Sequence, residues 1–200
     1  MAEDYQTLSD IKEVKLNILN SLFIGNAKEV NNQLEAKEFI KNIKAKYPDA
    51  SHSASGFIVA GQEGFDDDRE PSGSAGIPIL NTIKKNNLNN LVVVVTRYFG
   101  GKKLGIRGLI NAYGEAGERV IRTGKIITRS SGFLIKIETN YSGADTISKK
   151  NFLPEHKIIK IDYKDLVQVE LFVKNSCLDD FEVKLKSLEY RIIGKKKYIL

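Results

Sequence analysis

The sequence predicts a mixed α+β protein in two domains, residues 1–127 and 128–200, the second with a ferredoxin-like β-α-β-β-α-β order. Three observations carry that prediction. Eleven of the sixteen glycines lie between Gly56 and Gly117, and only three follow residue 124. Charge changes at the same place: residues 1–124 hold 16 basic and 15 acidic side chains, residues 125–200 hold 15 and 10. Hydrophobic periodicity switches repeatedly between 2 and 3.6, as expected of strands mixed with helices. A length of 200 residues accommodates one large core or two small ones.

In the first domain, the loose alternation of Leu16 to Ile24 predicts a strand. Leu34, Ala36, Phe39, Ile40 and Ile43 recur with helical spacing over Asn32 to Tyr47, and Pro48 closes that helix. Ser55 to Ala60 reads as a short strand and Gly61 to Gly73 as a long acidic loop. A helix over Ser74 to Asn86 tolerates Pro78 near its start. Leu91 to Tyr98, with four successive valines, reads as a strand buried on both faces. After a loop at Gly100 to Gly105, the apolar side formed by Leu109, Ile110, Tyr113, Ala116 and Val120 predicts a helix over Ile106 to Arg122. The stretch Thr128 to Gly132 reads as a linker.

The second domain alternates as a strand over Phe133 to Thr139, then carries a helical segment from Ala144 to Phe152. His156 to Tyr163 and Leu166 to Val173 read as strands. Ser176 is placed to cap a helix bearing Leu178, Phe181, Leu185 and Leu188, and Tyr190 to Leu200 supplies the last strand. This order is the split βαβ pattern.

Several function classes fall away. One cysteine makes no disulfide framework within the chain, and one cysteine with two histidines makes no four-ligand zinc site of the usual kind. The longest apolar run, Leu91 to Val95, is far short of the ~20 residues that span a bilayer, and Met1 to Asp10 is polar. The expectation is a cytoplasmic protein with no membrane partner. No Walker loop or G-x-G fingerprint occurs, and Ser72 lies in no G-x-S-x-G elbow. Cys177 reads as a small buried hydrophobe.

Two segments stand apart. Asp66 to Gly76 places four carboxylates in five positions, a grouping that needs a cation, an arginine or full solvation. Asp67 and Asp68 are candidate ligands for magnesium, which takes hard oxygen donors. The alternative is a solvated loop whose Ser72 or Ser74 caps the following helix. The second segment, Thr96 to Leu109, leaves a buried strand through Gly100 and Gly101 and enters a helix beside Lys102, Lys103 and Arg107. Backbone amides and a helix N-terminus in that setting form an anion cradle, and Tyr98 or Phe99 could stack on bases.

Together these segments are specific. Asp67-Asp68-Arg69-Glu70-Pro71-Ser72-Gly73-Ser74-Ala75-Gly76 resembles the D-D-G-E-P-S-G-T-A-G signature of the YigZ/IMPACT family. Val95 to Gly101 and Lys103-Leu104-Gly105 resemble its V-T-R-Y-F-G-G-x-x-L-G signature, continuing to Gly108-Leu109 and Asn111-Ala112-Tyr113. Ala50-Ser51-His52 matches A-x-H, and Ser21 to Ile24 resembles S-x-F-I. The resemblance implies a first domain like domain IV of elongation factor G, with a left-handed βαβ crossover, followed by a ferredoxin-like domain. It also implies a role near translation, since eukaryotic relatives compete for a regulator of an initiation-factor kinase. Three departures stand out. Arg69 and Arg107 replace signature glycines, at a cost of ~1–2 kcal/mol wherever the backbone is left-handed. Ala54 stands where many members carry cysteine.

The leading expectation is a non-enzymatic, translation-associated regulator that binds RNA or the ribosome, or a protein of that machinery. Arg97, Lys102, Lys103 and Arg107 would neutralise phosphates along the Gly100-Gly101 loop, with Tyr98 or Phe99 stacking. Lys195, Lys196 and Lys197 would add positive charge. The acidic loop, with Asp67, Asp68, Glu70 and Ser72, would orient the arginines or hold magnesium. The rival is a metal-assisted hydrolase or transferase on a phosphorylated or acyl substrate, with His52 and Glu70 as the acid–base pair. It requires His52 to lie within roughly one water-bridged contact of Glu70. A protein-binding adaptor is the third reading, and the sequence leaves the oligomeric state open.

Overall fold

A computed structural model describes residues 4–153 and 155–200. The protein is a mixed α+β chain with two antiparallel sheets. It divides into two compact units, Gln6–Thr128 and Arg129–Leu200, the latter together with Asp4 and Tyr5. Among the described residues no helix is long and apolar enough to cross a membrane.

A first strand, β1 (Asp4–Ser9), belongs to the second sheet. The first unit then runs β2 (Val14–Ile18), β3 (Ser21–Glu29), α1 (Gln33–Lys46), β4 (His52–Val59), β5 (Gln62–Asp66), α2 (Gly76–Lys85), β6 (Leu91–Tyr98) and α3 (Gly105–Thr123). Its sheet order is β2-β3-β6-β4-β5. Both β3 and β4 are antiparallel to β6, so they run parallel to each other and the β3–α1–β4 connection passes over the central strand. This explains the valine run. Val93 and Val95 pack with Ile79, Ile83, Leu109, Tyr113 and Val120 of α2 and α3. Val92 and Val94 pack on the other face with Ala36 and Ile43 of α1. Every residue from Leu91 to Val95 is fully buried.

Four stretches of backbone differ from the sequence reading. The strand expected over Leu16 to Ile24 is a hairpin, turning at Leu19 and Asn20, both at positive φ (44° and 68°), with Ile18 opposite Ser21. Two positive-φ residues form the tight turn whose twist suits a hairpin. The expected acidic loop begins as β5, folded back on β4 through Ala60 and Gly61. The expected linker Thr128 to Gly132 lies inside one long strand, β7 (Lys125–Thr139). The strand β1 has no counterpart in the sequence reading.

The second unit continues with α4 (Tyr141–Ser148), β8 (His156–Asp162), β9 (Val167–Lys174), α5 (Leu178–Leu185) and β10 (Tyr190–Ile199). Its four main strands lie in the order β10-β7-β9-β8, each pair antiparallel. That arrangement, with both helices on one face, is the ferredoxin-like fold. Ile135, Ile137, Val169 and Leu171 pack beneath Ile147, Phe181 and Leu185. Cys177 is buried in this core. Ser176 does not cap α5. A 3-10 turn over Asn175–Cys177 leads into the helix, whose N-cap is Cys177 without a side-chain hydrogen bond.

Candidate functional site

The site grows out of the end of β6. Cross-strand register places Phe23, Arg97 and His52 in one row of the sheet. Period-2 alternation puts Arg97 on the same face as Val93 and Val95, toward α3. Arg97 is therefore a charge inside a core, only 5% exposed. Its Nη1 donates to Glu70 Oε1 at 2.7 Å, and Glu70 is itself 8% exposed. The Tyr113 hydroxyl on α3 donates to the same oxygen at 2.8 Å. The Phe23 and Phe99 rings lie 5.6 Å and 5.3 Å from the Arg97 guanidinium carbon. Burial, reinforced by the Glu70 charge, pushes the Tyr113 hydroxyl far above the ordinary tyrosine range, so it remains a donor.

His52 reaches the same cluster. Its Nδ1 lies 2.9 Å from the Asp68 carbonyl, which can only accept, so Nδ1 carries the proton. In the neutral ring Nε2 is then a free acceptor, 3.9 Å from Glu70 Oε1. The proximity that the acid–base reading requires is met.

The acidic segment is not a cluster of mutually repelling charges, because each carboxylate has a separate task. Asp67 accepts from the amides of Gly73, Ala75 and Gly76 at 2.8, 3.0 and 2.7 Å. It thereby caps α2, whose N-cap residue Ala75 has no side-chain cap of its own. Ser72 is exposed, and the Oγ of the buried Ser74 has no partner, so neither serine caps the helix. Asp68 accepts from the Ser53 amide at 2.6 Å and from Lys44 at 2.9 Å. Burial pushes its carboxyl up, but the Ser53 amide and Lys44 outweigh that and hold it below the usual aspartate range. Asp66 accepts from the Asp68 amide and meets Lys44 at 3.4 Å. Among the described residues no group of three or more His, Cys, Asp or Glu side chains is arranged to hold a metal. A magnesium ion at Asp67 and Asp68 would have to displace these amide and ammonium donors.

Asp68 and Arg69 both have positive φ, 45° and 70°. Arg69 is exposed and left-handed, so it carries the strain that a glycine there would avoid. Arg69→Gly is expected to stabilise the protein by about 1 kcal/mol, net of glycine's entropy cost in the unfolded chain. A urea midpoint that falls instead would mean Arg69 makes a stabilising contact. Arg107 lies in the first turn of α3, outside the positive-φ residues, and carries no such cost.

The glycine loop is pinned from beneath. Ser51 Oγ accepts from the Phe99 amide and Ser21 Oγ from the Gly100 amide. A Cβ at Gly100 would stand 1.9 Å from the Asn20 carbonyl oxygen, so only glycine fits against the β2–β3 turn. Tyr98 points to the opposite face and donates to Asp49, whereas Phe99 remains 47% exposed. Gly101, Lys102, Lys103 and Arg107 are exposed. Those three cations pair with no carboxylate among the described residues, and Leu104 gives α3 no side-chain cap. Within the second unit, Lys195 pairs with Glu182, while Lys196 and Lys197 are exposed.

A pocket of about 420 Å³ joins both segments. It is lined by Ser51, His52, Glu70, Pro71, Arg97, Phe99, Lys103, Leu104, Gly105, Ile106 and Leu109. The sequence-derived candidates His52, Glu70, Arg97 and Lys103 thus meet, while Tyr98 and Ser72 stay outside. Tyr113 and Phe23, which fix Arg97 and Glu70, were read from the sequence as core, strand and family-motif residues, with no role at the site. A tyrosine on the buried face of a helix was the available signal, since its hydroxyl needs a partner.

Comparison with known proteins agrees with these motifs. The Impact N-terminal domain model matches residues 19–121. The IMPACT family member YvyE of Bacillus subtilis (strain 168) is 32% identical over 177 residues, covering 87% of this chain and 82% of the relative. The IMPACT family member YigZ of Escherichia coli (strain K12) is 29% identical over 182 residues, covering 88% and 86%. A crystal structure of a hypothetical protein matches with a TM-score of 0.69 over 97% of this chain and 98% of that one, at 24% identity, a likeness of fold alone. With its two signature segments meeting at one pocket and a family model spanning residues 19–121, the chain belongs to the IMPACT family.

Proposed function

We propose that this protein is a translation-associated regulator that binds RNA, free or within the ribosome, at the N-terminal end of α3. The observation that supports this reading is the exposed, carboxylate-free trio of Lys102, Lys103 and Arg107 beside the exposed ring of Phe99. Phosphates gain most from cations that have no internal partner, and an aromatic face offers sequence-tolerant stacking. Arg97 serves here first as the buried partner of Glu70 beneath Phe99. The family's eukaryotic role in translational control favours the same setting, with a protein of the translation machinery as a further partner.

The test is binding of short single-stranded RNA and of ribosomes as salt is varied. Three neutralised phosphates give a log–log slope of about −2, from roughly −0.7 per phosphate. The slope should vanish when Lys102, Lys103 and Arg107 all become alanine. Absence of binding at low salt overturns the proposal.

One observation favours a second reading, acid–base chemistry on a phosphorylated or acyl substrate: His52 Nε2 lies 3.9 Å from Glu70 Oε1. A hydrolytic activity found by substrate screening should then be lost in His52→Gln, and an activity that survives this change removes His52 from the reaction.

A further inference from the structure

We propose that the pocket at the α3 N-terminus is a subsite for one terminal nucleotide, holding its 5′-phosphomonoester at the helix start and its base against Phe99. This rests on the RNA reading above and narrows it to a strand end.

The charge balance inside the pocket selects an anion. Glu70 is compensated by Arg97, so the uncompensated groups are Lys103 and the first amides of α3, which no side chain caps. α3 is 19 residues long, and the free amides at its start carry its full dipole. A second observation points the same way. Arg97 lines the pocket yet is under-used, because Nη2 reaches only Ser21 Oγ at 3.4 Å and Nε has no partner. A buried guanidinium with spare donors is costly until an acceptor arrives.

The floor favours an end over a continuous strand. Glu70 and Arg97 close it with buried side chains, so a group that enters the pocket ends against them. A terminal phosphate carries about −1.5 to −2 charge near neutral pH, more than an internal diester. His52 adds a preference for a nucleotide over bare phosphate. Its Nδ1 is taken by the Asp68 carbonyl, so Nε2 is the ring atom left to meet a ribose hydroxyl, which can donate or accept. Phe99 at 47% exposure and Ile106 at 61% leave an apolar wall for the base.

The same 5′-phosphonucleotide could come from an RNA end or from a free nucleoside monophosphate, and three probes separate these sources. The full chain is titrated with one short oligoribonucleotide bearing a 5′-phosphate, with the same oligomer bearing a 5′-hydroxyl, and with adenosine 5′-monophosphate. The phosphorylated end is expected to bind about tenfold more tightly, the worth of one charge-assisted hydrogen bond, and adenosine monophosphate should displace it. Lys103→Gln and Ile106→Glu should abolish the tenfold preference, and Ile106, being exposed, can be changed without unfolding the chain. Equal affinity for the two ends, without competition by the monophosphate, overturns the subsite and leaves the RNA reading standing. Binding of the monophosphate alone, lost in Lys103→Gln, supports the pocket and overturns its link to RNA. Failure of all three probes overturns both.

Discussion

Glu70→Ala is expected to destabilise the first unit by roughly 3–5 kcal/mol, the cost of leaving one member of a buried ion pair without its partner. The change strips Arg97 of its only short hydrogen bond and leaves the Tyr113 hydroxyl without an acceptor. Tyr113 is fully buried and has no ready route to water, and Arg97, 5% exposed, meets water only through the pocket. The loss should appear as a lowered urea midpoint and as faster hydrogen exchange in β6, the strand that carries Arg97. Glu70→Leu combined with Arg97→Met should recover much of it, since an apolar pair of similar volume avoids the desolvation of both charges. That recovery separates a stabilising role from a functional one: the double variant should fold while its pocket loses the Glu70–Arg97 floor. A cost below about 1 kcal/mol for Glu70→Ala would instead be typical of a solvated pair.

What the sequence made legible follows from how each element is buried. β6 was readable because it is covered on both faces, by α1 on one and by α2 and α3 on the other. The ferredoxin-like unit was readable because its strands keep a strict inward set, Ile135, Ile137, Val169 and Leu171 among them. β5 left no such trace, since Gln62–Asp66 is an edge strand with mostly exposed side chains and its pairing depends on the turn before it. The β2–β3 hairpin was hidden because Leu19 adopts a left-handed conformation for which leucine has no preference. At the site, both segments were found but the roles inside them were redistributed. Arg97 was grouped with the exposed lysines, although its phase already placed it in line with Val93 and Val95. A charge in phase with a core face predicts a buried partner, and Glu70 is that partner.

The largest redistribution concerns Asp67, and it leads to the second strong expectation. Asp67→Ala should cost roughly 2–3 kcal/mol, more than an ordinary cap deletion of about 1 kcal/mol, because one carboxylate serves three amides. The sum of three charge-assisted bonds would be higher, but Asp67 is itself only half-buried, so water can take its place at some of these amides. Ser72→Ala, the change a local capping model would single out, should alter stability by less than about 0.5 kcal/mol. Asp67→Asn should fall between the two, since an amide oxygen can still accept but without charge. The consequence extends to the pocket. Asp67 ties Gly73 to Gly76 back across the turn that contains Glu70, so its loss frees the segment that positions the buried acceptor for Arg97 and Tyr113. Binding at the α3 rim should therefore weaken in Asp67→Ala even though Asp67 does not line the pocket. Magnesium discriminates the two roles open to this carboxylate. If the amides hold it, as the distances indicate, adding magnesium leaves the urea midpoint of the native chain unchanged. A magnesium-dependent rise that Asp67→Ala removes would transfer the carboxylate from helix capping to cation binding.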